Sequence, residues 1–238
     1  MVKKHKILGG GGLGDAVMLY SKLMQLDIPI DEIELTHIEV PANLLKVIAE
    51  FYASQGINAV VKQIPSWDWK KENSGAYDIV LDTSAYGIEE DGIEINPFPE
   101  FIRNREYVFD VVISPSSGRN GERSFSVDEI KMICDRFKGI NQSEQYHKNI
   151  ILLGTSSNAD KYNNLEAING INLTDIDESI DIIASSKYVI APSGFVSIVG
   201  CMARKNVFTK DDRKDIQSRY YHEKWNNKFI NNLNEIII

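Results

Sequence analysis

The 238-residue chain carries 34 acidic and 26 basic side chains, a formal net charge of −8 at pH 7, and is 43% hydrophobic and 25% charged. This composition is ordinary for a soluble globular protein and allows a substantial core. The acidic balance, with a pI near 5.1, argues against nonspecific adhesion to nucleic acid or anionic membrane while leaving room for a local basic pocket.

The length allows one large domain or two of about 120 residues each. At the start, Lys3, Lys4 and Lys6 lead into too few apolar residues for a signal-peptide core or a membrane span. A cytoplasmic protein without a membrane span is expected.

The first element is a short apolar run, Ile7 and Leu8, followed by Gly9–Gly12, Leu13, Gly14 and Asp15. Ala16, Val17, Tyr20 and Leu23 then continue from Leu13 at the spacing of one helical face. Strand, glycine loop and helix follow in that order. Gly11, Gly12 and Gly14 remove side chains that would hold a ligand away from the backbone, and the helix points its N–H groups at whatever binds there. Asp15, in the first helical turn, has two readings: a carboxylate that complements the helix dipole, or a general base at the mouth of a ligand cleft. The run also fits G-x-G-x-x-G, with Glu34 about 20 residues on and near the end of the second strand, as in a nicotinamide- or flavin-binding fold.

Further strands are expected at Ile33–Ile38, Asn58–Ile64, Tyr77–Leu81, Tyr107–Ile113, Asn149–Leu153, Tyr188–Ala191 and Asn206–Phe208. Helices are expected at Asn43–Ser54, Val127–Phe137, Ile176–Ser185, Phe195–Ala203 and Asp215–Asn227. Alternation of this kind implies an α/β protein with parallel sheets covered by helices. The segment Pro97–Tyr107, with two prolines and no clean period, is the expected crossover, giving domains 1–106 and 107–238, with the last helix free to pack back on the first domain.

Several features of the second half carry chemistry. Ser126 and Glu129 form a capping box at the start of a helix whose buried stripe is Val127, Ile130, Cys134 and Phe137. The loop before it, Ser114–Arg123, offers hydroxyls at Ser116 and Ser117 and guanidiniums at Arg119 and Arg123 beyond the carboxyl end of a strand, equipment suited to a diphosphate. Ser193 and Gly194 stand where the strand Tyr188–Ala191 meets a helix, and small residues at Ser197, Gly200 and Ala203 would let that helix approach the sheet. Cys134 and Cys201 are expected to be buried free thiols, and four scattered histidines, His5, His37, His147 and His222, have no metal-ligand spacing.

Together, Gly11-Gly12-Leu13-Gly14-Asp15, then Leu152-Leu153-Gly154, then Leu173-Thr174, and finally Ser193-Gly194 with its small-residue helix resemble glycosyltransferase family nine. That family includes the ADP-heptose:lipopolysaccharide heptosyltransferases. The resemblance implies a GT-B fold of two Rossmann-like parallel-sheet domains facing across a cleft. It also implies metal-independent transfer from a nucleotide-diphosphate sugar to an acceptor hydroxyl, with no other cofactor.

On the same basis Asp15 matches the general base, and Gly11, Gly12, Leu13 and Gly14 lie on the acceptor side. Ser116, Ser117, Arg119, Arg123, Thr155, Ser193 and Gly194 lie on the donor-phosphate side. The expected partners are a nucleotide sugar and a hydroxyl acceptor such as a glycan or glycolipid, not a nucleic acid. The chain departs from the family at Pro192, where aspartate is usual, and at Ser197, where histidine is usual. The N-terminal half is also short for the family, which implies trimmed acceptor loops and an acceptor unlike a lipopolysaccharide core, so heptose specificity is not carried over. An NAD(P)-binding oxidoreductase, a non-catalytic sugar-nucleotide-binding protein and a nucleotide-sugar epimerase are the alternatives.

Overall fold

The computed structural model describes residues 4–39, 42–63, 74–81, 107–116, 124–138, 149–211 and 227–236. Two units, Met1–Ile102 and Arg103–Ile238, each hold one sheet whose strands all pair in parallel.

In the first unit, strand β1 (His5–Gly10) pairs with β2 (Ile33–Glu39), which pairs with β3 (Ala59–Gln63), while β4 (Ile79–Val80) lies on the other side of β1. Ile7 and Leu8 are completely buried at the sheet centre. The helix predicted after the glycines is α1 (Leu13–Leu23). Its burial extends beyond the expected stripe: every residue from Ala16 to Leu23 is buried, including Ser21 and Lys22.

Helix α1 packs on β1 and on α2 (Leu45–Ser54), whose inward face is Ile48, Phe51 and Tyr52. The Tyr20 and Phe51 rings meet edge to face at 6.0 Å, a favoured arrangement for aromatic pairs. The expected helix start at Asn43 is a 3-10 turn over Ala42–Leu44, with the α-helix beginning at Leu45.

The second unit runs β5 (Val111–Ile113), α3 (Val127–Lys138), β6 (Ile150–Leu152), β7 (Ile168–Asn169), α4 (Ile176–Ser185), β8 (Tyr188–Pro192), α5 (Phe195–Met202), β9 (Asn206–Lys210) and β10 (Asn227–Ile230). The sheet order is β10-β9-β8-β5-β6-β7. The capping box forms as expected: the Ser126 N–H donates to Glu129 and the Glu129 N–H to the Ser126 hydroxyl, at 2.7 and 3.1 Å. Of the expected stripe, Ile130, Cys134 and Phe137 enter the core together with Ile133, while Val127 is only partly buried against it; each large apolar side chain there contributes roughly 1.5–3 kcal/mol.

Strand β5 begins later than predicted, because the Asp110 carboxylate, bound to Lys187 and Asn149, ties off its entry. Tyr107 before it is held by α4 through Ser185 and Glu178. Strand β7 has two residues, too short for a period to register, and was not anticipated. Of the helix expected over Asp215–Asn227, residues 215–226 lie outside the described residues, and Asn227 instead opens strand β10.

Two glycines set how closely helices approach the sheets. A Cβ on Gly200 in α5 would lie 3.0 Å from Val189 and 3.1 Å from Val207, so the anticipated close approach is realised there. A Cβ on Gly9 would lie 2.3 Å from Leu19 Cδ2, which is completely buried. Gly9→Ala is therefore expected to lose about 1–3 kcal/mol of stability through overpacking. In urea unfolding, the Gly9→Ala, Leu19→Ala double variant should cost less than the sum of the singles.

Candidate functional site

Both sheets reverse their strand order beside their first strand. The chain steps from β1 outward through β2 and β3 and returns to β4 on the opposite flank; it steps from β5 through β6 and β7 and returns to β8. The crevice at the carboxyl ends of the two strands flanking such a reversal is where open α/β sheets bind ligands. The glycine loop after β1 occupies that place in the first unit. The loops after β5 and β8 occupy it in the second.

In the first unit, β2 grips the loop at Gly11 by both backbone polar groups. The Gly11 N–H donates to the Ile38 carbonyl at 2.9 Å, and the Gly11 carbonyl lies 3.1 Å from His37 Nε2. Gly11 has φ +118°, a conformation open to glycine and strained for other residues. A Cβ there would also lie 2.5 Å from the Asp15 Cβ and Cγ, so this glycine makes room for the carboxylate to fold back over the loop. Asp15 does so, accepting the Gly12 N–H on Oδ2 at 2.7 Å. The dipole-complementing role read from the sequence is thus realised as a cap. Leu13 and Gly14 open α1 beside it.

Behind the loop stands a pair the sequence analysis did not assign. His37 and Tyr52 are both completely buried, with the Tyr52 hydroxyl 2.9 Å from His37 Nδ1. A carbonyl can only accept, so His37 Nε2 carries the proton and the neutral ring accepts the Tyr52 proton at Nδ1. Burial draws the His37 pKa down to about 4, against a smaller opposing effect of the Gly11 bond. Burial also pushes the Tyr52 hydroxyl well above the usual phenol range, and the negative charge of Asp15 adds to it. A sequence signal existed: His37 shares the alternating face of Ile33 and Leu35, both buried, and Tyr52 follows Ile48 at helical spacing.

In the second unit, Ser116 and Thr155 come together, the Ser116 hydroxyl donating to the Thr155 carbonyl at 3.3 Å. Thr155 follows Gly154, whose φ is +134°. The Asn172 side chain clasps the next residue, accepting the Ser156 N–H at 2.9 Å and donating to the Ser156 carbonyl. Ser193 and Gly194 lie at the start of α5, as expected. Ser197 is buried and its hydroxyl accepts the Gly194 N–H at 3.0 Å, so this amide serves as part of the helix cap.

Lys210, not singled out from the sequence, ends β9 with its ammonium on Glu129 at 2.9 Å and on the Ser124 carbonyl at 3.1 Å. Burial raises the Glu129 pKa, but bonds from Lys210 and Ser126 outweigh this and hold it below the usual carboxylate value. Ser117, Arg119 and Arg123 lie outside the described residues. Cys134 and Cys201 are buried free thiols. Among the described residues no cluster of His, Cys, Asp and Glu is arranged to hold a metal, and no helix is long and apolar enough to cross a membrane.

One expectation is corrected. Glu34 pairs in register with Lys6 and is the second residue of β2, at the amino end of the strand. The acid that binds a dinucleotide ribose must stand near the carboxyl end, beside the glycine loop. The spacing that matched the fingerprint therefore places Glu34 at the wrong end of the sheet.

No protein-family model and no curated protein sequence matches the chain. Among solved structures it is similar to a glycosyl transferase family 9 protein of Veillonella parvula, at 8% identity and TM-score 0.57 over 96% of this chain and 86% of that one. It is also similar to the E. coli heptosyltransferase WaaC with ADP-2-deoxy-2-fluoro heptose, at 10% identity and TM-score 0.59 over 94% and 92%. A third is a Listeria monocytogenes protein described as a UDP-N-acetylglucosamine 2-epimerase, at 9% identity and TM-score 0.54 over 90% and 81%. At such identities the likeness is one of fold. The chain has an α/β fold of the GT-B type, shared with family 9 transferases and with an epimerase.

The buried histidine has a measurable consequence. Above pH 6.5 the ring is neutral whether folded or unfolded; between 6.5 and about 4 the unfolded chain takes up a proton that the folded chain refuses. Stability therefore falls through that window, by on the order of 3 kcal/mol, and this contribution levels off below it. His37→Gln removes the contribution. Urea unfolding should show the wild type losing stability faster than the variant from pH 7 to pH 4.5.

Proposed function

We propose that the chain is a glycosyltransferase that moves a sugar from a nucleotide-diphosphate sugar to an acceptor hydroxyl, without a metal, with Asp15 as general base. The observation that carries the reading is the carboxylate of Asp15 fixed on the Gly12 N–H at 2.7 Å, in a glycine loop at the strand reversal of a GT-B-type fold. In the reaction Asp15 takes the proton of the acceptor hydroxyl as its oxygen attacks the anomeric carbon. The bond from that carbon to the diphosphate oxygen breaks, and the nucleoside diphosphate leaves with the electron pair.

The developing charge on the diphosphate needs fixed donors. The Ser116 hydroxyl, the Thr155 loop, the start of α5 at Ser193 and Gly194, and the cations Arg119 and Arg123 are the groups the reading assigns to it. The acceptor side is Gly11 to Gly14, and a glycan or glycolipid hydroxyl is the class of acceptor. Support for a nucleotide-sugar donor comes from the fold shared with WaaC, which holds ADP-2-deoxy-2-fluoro heptose.

A second reading, nucleotide-sugar epimerisation, is favoured by one observation, the fold shared with the Listeria protein. Release of free sugar and nucleoside diphosphate without an acceptor would indicate it. Binding of sugar nucleotides with neither release nor transfer would indicate a non-catalytic protein, the reading that Pro192 and Ser197 favour.

Asp15→Asn keeps an acceptor for the Gly12 N–H but loses basicity. It is expected to lower kcat by about 10²–10⁴-fold with donor affinity within a few fold, in an assay that follows nucleoside diphosphate release with and without EDTA. Equal turnover by the variant would reject the base assignment, and loss of wild-type activity in EDTA would reject metal independence. Arg123→Ala should weaken nucleoside diphosphate binding by about 1–3 kcal/mol in calorimetry.

A further inference from the structure

We propose that Tyr52 and His37 are positioning residues for Asp15, acting through a one-way chain of hydrogen bonds that passes through the Gly11–Gly12 peptide and ends on the carboxylate. The chain runs from the Tyr52 hydroxyl to His37 Nδ1 at 2.9 Å, from His37 Nε2 to the Gly11 carbonyl at 3.1 Å, and from the Gly12 N–H to Asp15 Oδ2 at 2.7 Å. The proposal rests on the glycosyl-transfer reading, because the carboxylate it orients is the base of that reaction.

The link at the centre is covalent. The Gly11 carbonyl and the Gly12 N–H belong to one planar trans peptide and point in opposite directions, so turning that plane to meet His37 also aims its N–H at Asp15. The preceding peptide is fixed independently by the bond from the Gly11 N–H to the Ile38 carbonyl at 2.9 Å. Every donor in the chain faces the same way, and hydrogen bonds in such a series polarise one another, most strongly when the last acceptor is charged.

The Tyr52 hydroxyl also lies 3.4 Å from the Ala16 carbonyl, but its one proton goes to the nearer and more basic imidazole nitrogen. By the alternation of β2 and the face of α2 alone, leucine and phenylalanine would suit positions 37 and 52, but leucine would leave the Gly11 carbonyl without its His37 donor. A polar pair there is explained by what it holds. Asp15 commits Oδ2 to the Gly12 N–H, and in the proposed reaction the carboxylate takes the acceptor proton.

The test compares full-length Tyr52→Phe, His37→Leu and His37→Gln proteins with wild type. The glutamine amide can still donate to the Gly11 carbonyl; the leucine cannot. The first readout needs no activity: in amide NMR spectra the Gly12 N–H resonance, shifted by its bond to the carboxylate, should move in Tyr52→Phe and His37→Leu and stay close to wild type in His37→Gln. Long-range nitrogen spectra should show the wild-type His37 ring protonated at Nε2.

The second readout is nucleoside diphosphate release from ADP- and UDP-hexoses in the presence of acceptor. Tyr52→Phe and His37→Leu should lose up to about 100-fold in kcat with donor KM within twofold, and His37→Gln should recover most of the rate. A Gly12 resonance that ignores all three variants, an Nδ1-protonated ring, or a glutamine variant no better than leucine would overturn the proposal. If the wild type transfers no sugar, the glycosyl-transfer reading fails and the positioning role is decided by the Gly12 resonance. Tyr52→Phe, which preserves volume, keeps the test valid if His37→Leu does not fold.

Discussion

In each unit the chain leaves its first strand toward one flank and comes back to the other, and this reversal is the constraint on which the rest depends. Helices that follow strands on opposite flanks diverge, and the gap they leave at the carboxyl ends must be filled by loop backbone, side chains or ligand. Parallel pairing makes the gap unavoidable, because every strand presents its carboxyl end on the same edge. In the first unit the loop at that edge takes a backbone course that favours glycine, with Gly11 at φ +118°.

The two units fill the gap differently, and the difference follows from the side chains supplied. The first uses buried rigidity. A histidine from β2 and a tyrosine from α2, both completely buried, stand under the loop and hold the Gly11 carbonyl. The second uses stitches nearer the surface. Ser116 meets Thr155, Asn172 clasps Ser156, and Lys210 joins the end of β9 to the cap of α3. Bonds of this exposed kind contribute little to stability individually, and their effect is to fix the course of loops that carry hydroxyls and a helix terminus.

The fold was legible in the sequence wherever burial imposed a period. The capping box at Ser126 and Glu129 and the stripe of α3 followed from spacing alone, and Ile176–Ser185 matches α4 residue for residue, because local rules act there without help from distant residues. The misses have tertiary causes. Strand β7 exists because β6 offers it an edge, with Ile168 and Asn169 supplying no period of their own. Strand β5 is shortened by Asp110, whose partners Lys187 and Asn149 are far away in sequence.

The site was legible in its loops and not beneath them. Asp15 and the glycines stand out by composition. His37 and Tyr52 are unremarkable until β2 and α2 are brought together, for the contact of His37 with Gly11 spans 26 residues and that of Tyr52 with His37 spans 15. The fingerprint at Glu34 failed for a related reason, since spacing along a chain does not state which end of a strand a residue occupies.

Asp15 joins the structural and chemical arguments, because the cap and the proposed base draw on one carboxylate. The two roles would conflict if the cap consumed the group, but a carboxylate has two oxygens and several acceptor sites. A cap contributes about 0.5–2 kcal/mol to a helix, and it also removes the rotational freedom that a loose aspartate would have to lose on reaching a productive geometry. Placing the proposed base at the third position of α1, folded back over Gly11, thus lets helix stability hold its carboxylate in place. The geometry works only with glycine at position 11, since any Cβ there would occupy the space the carboxylate fills. In this part of the loop, glycine is therefore required by Asp15 before any ligand is considered.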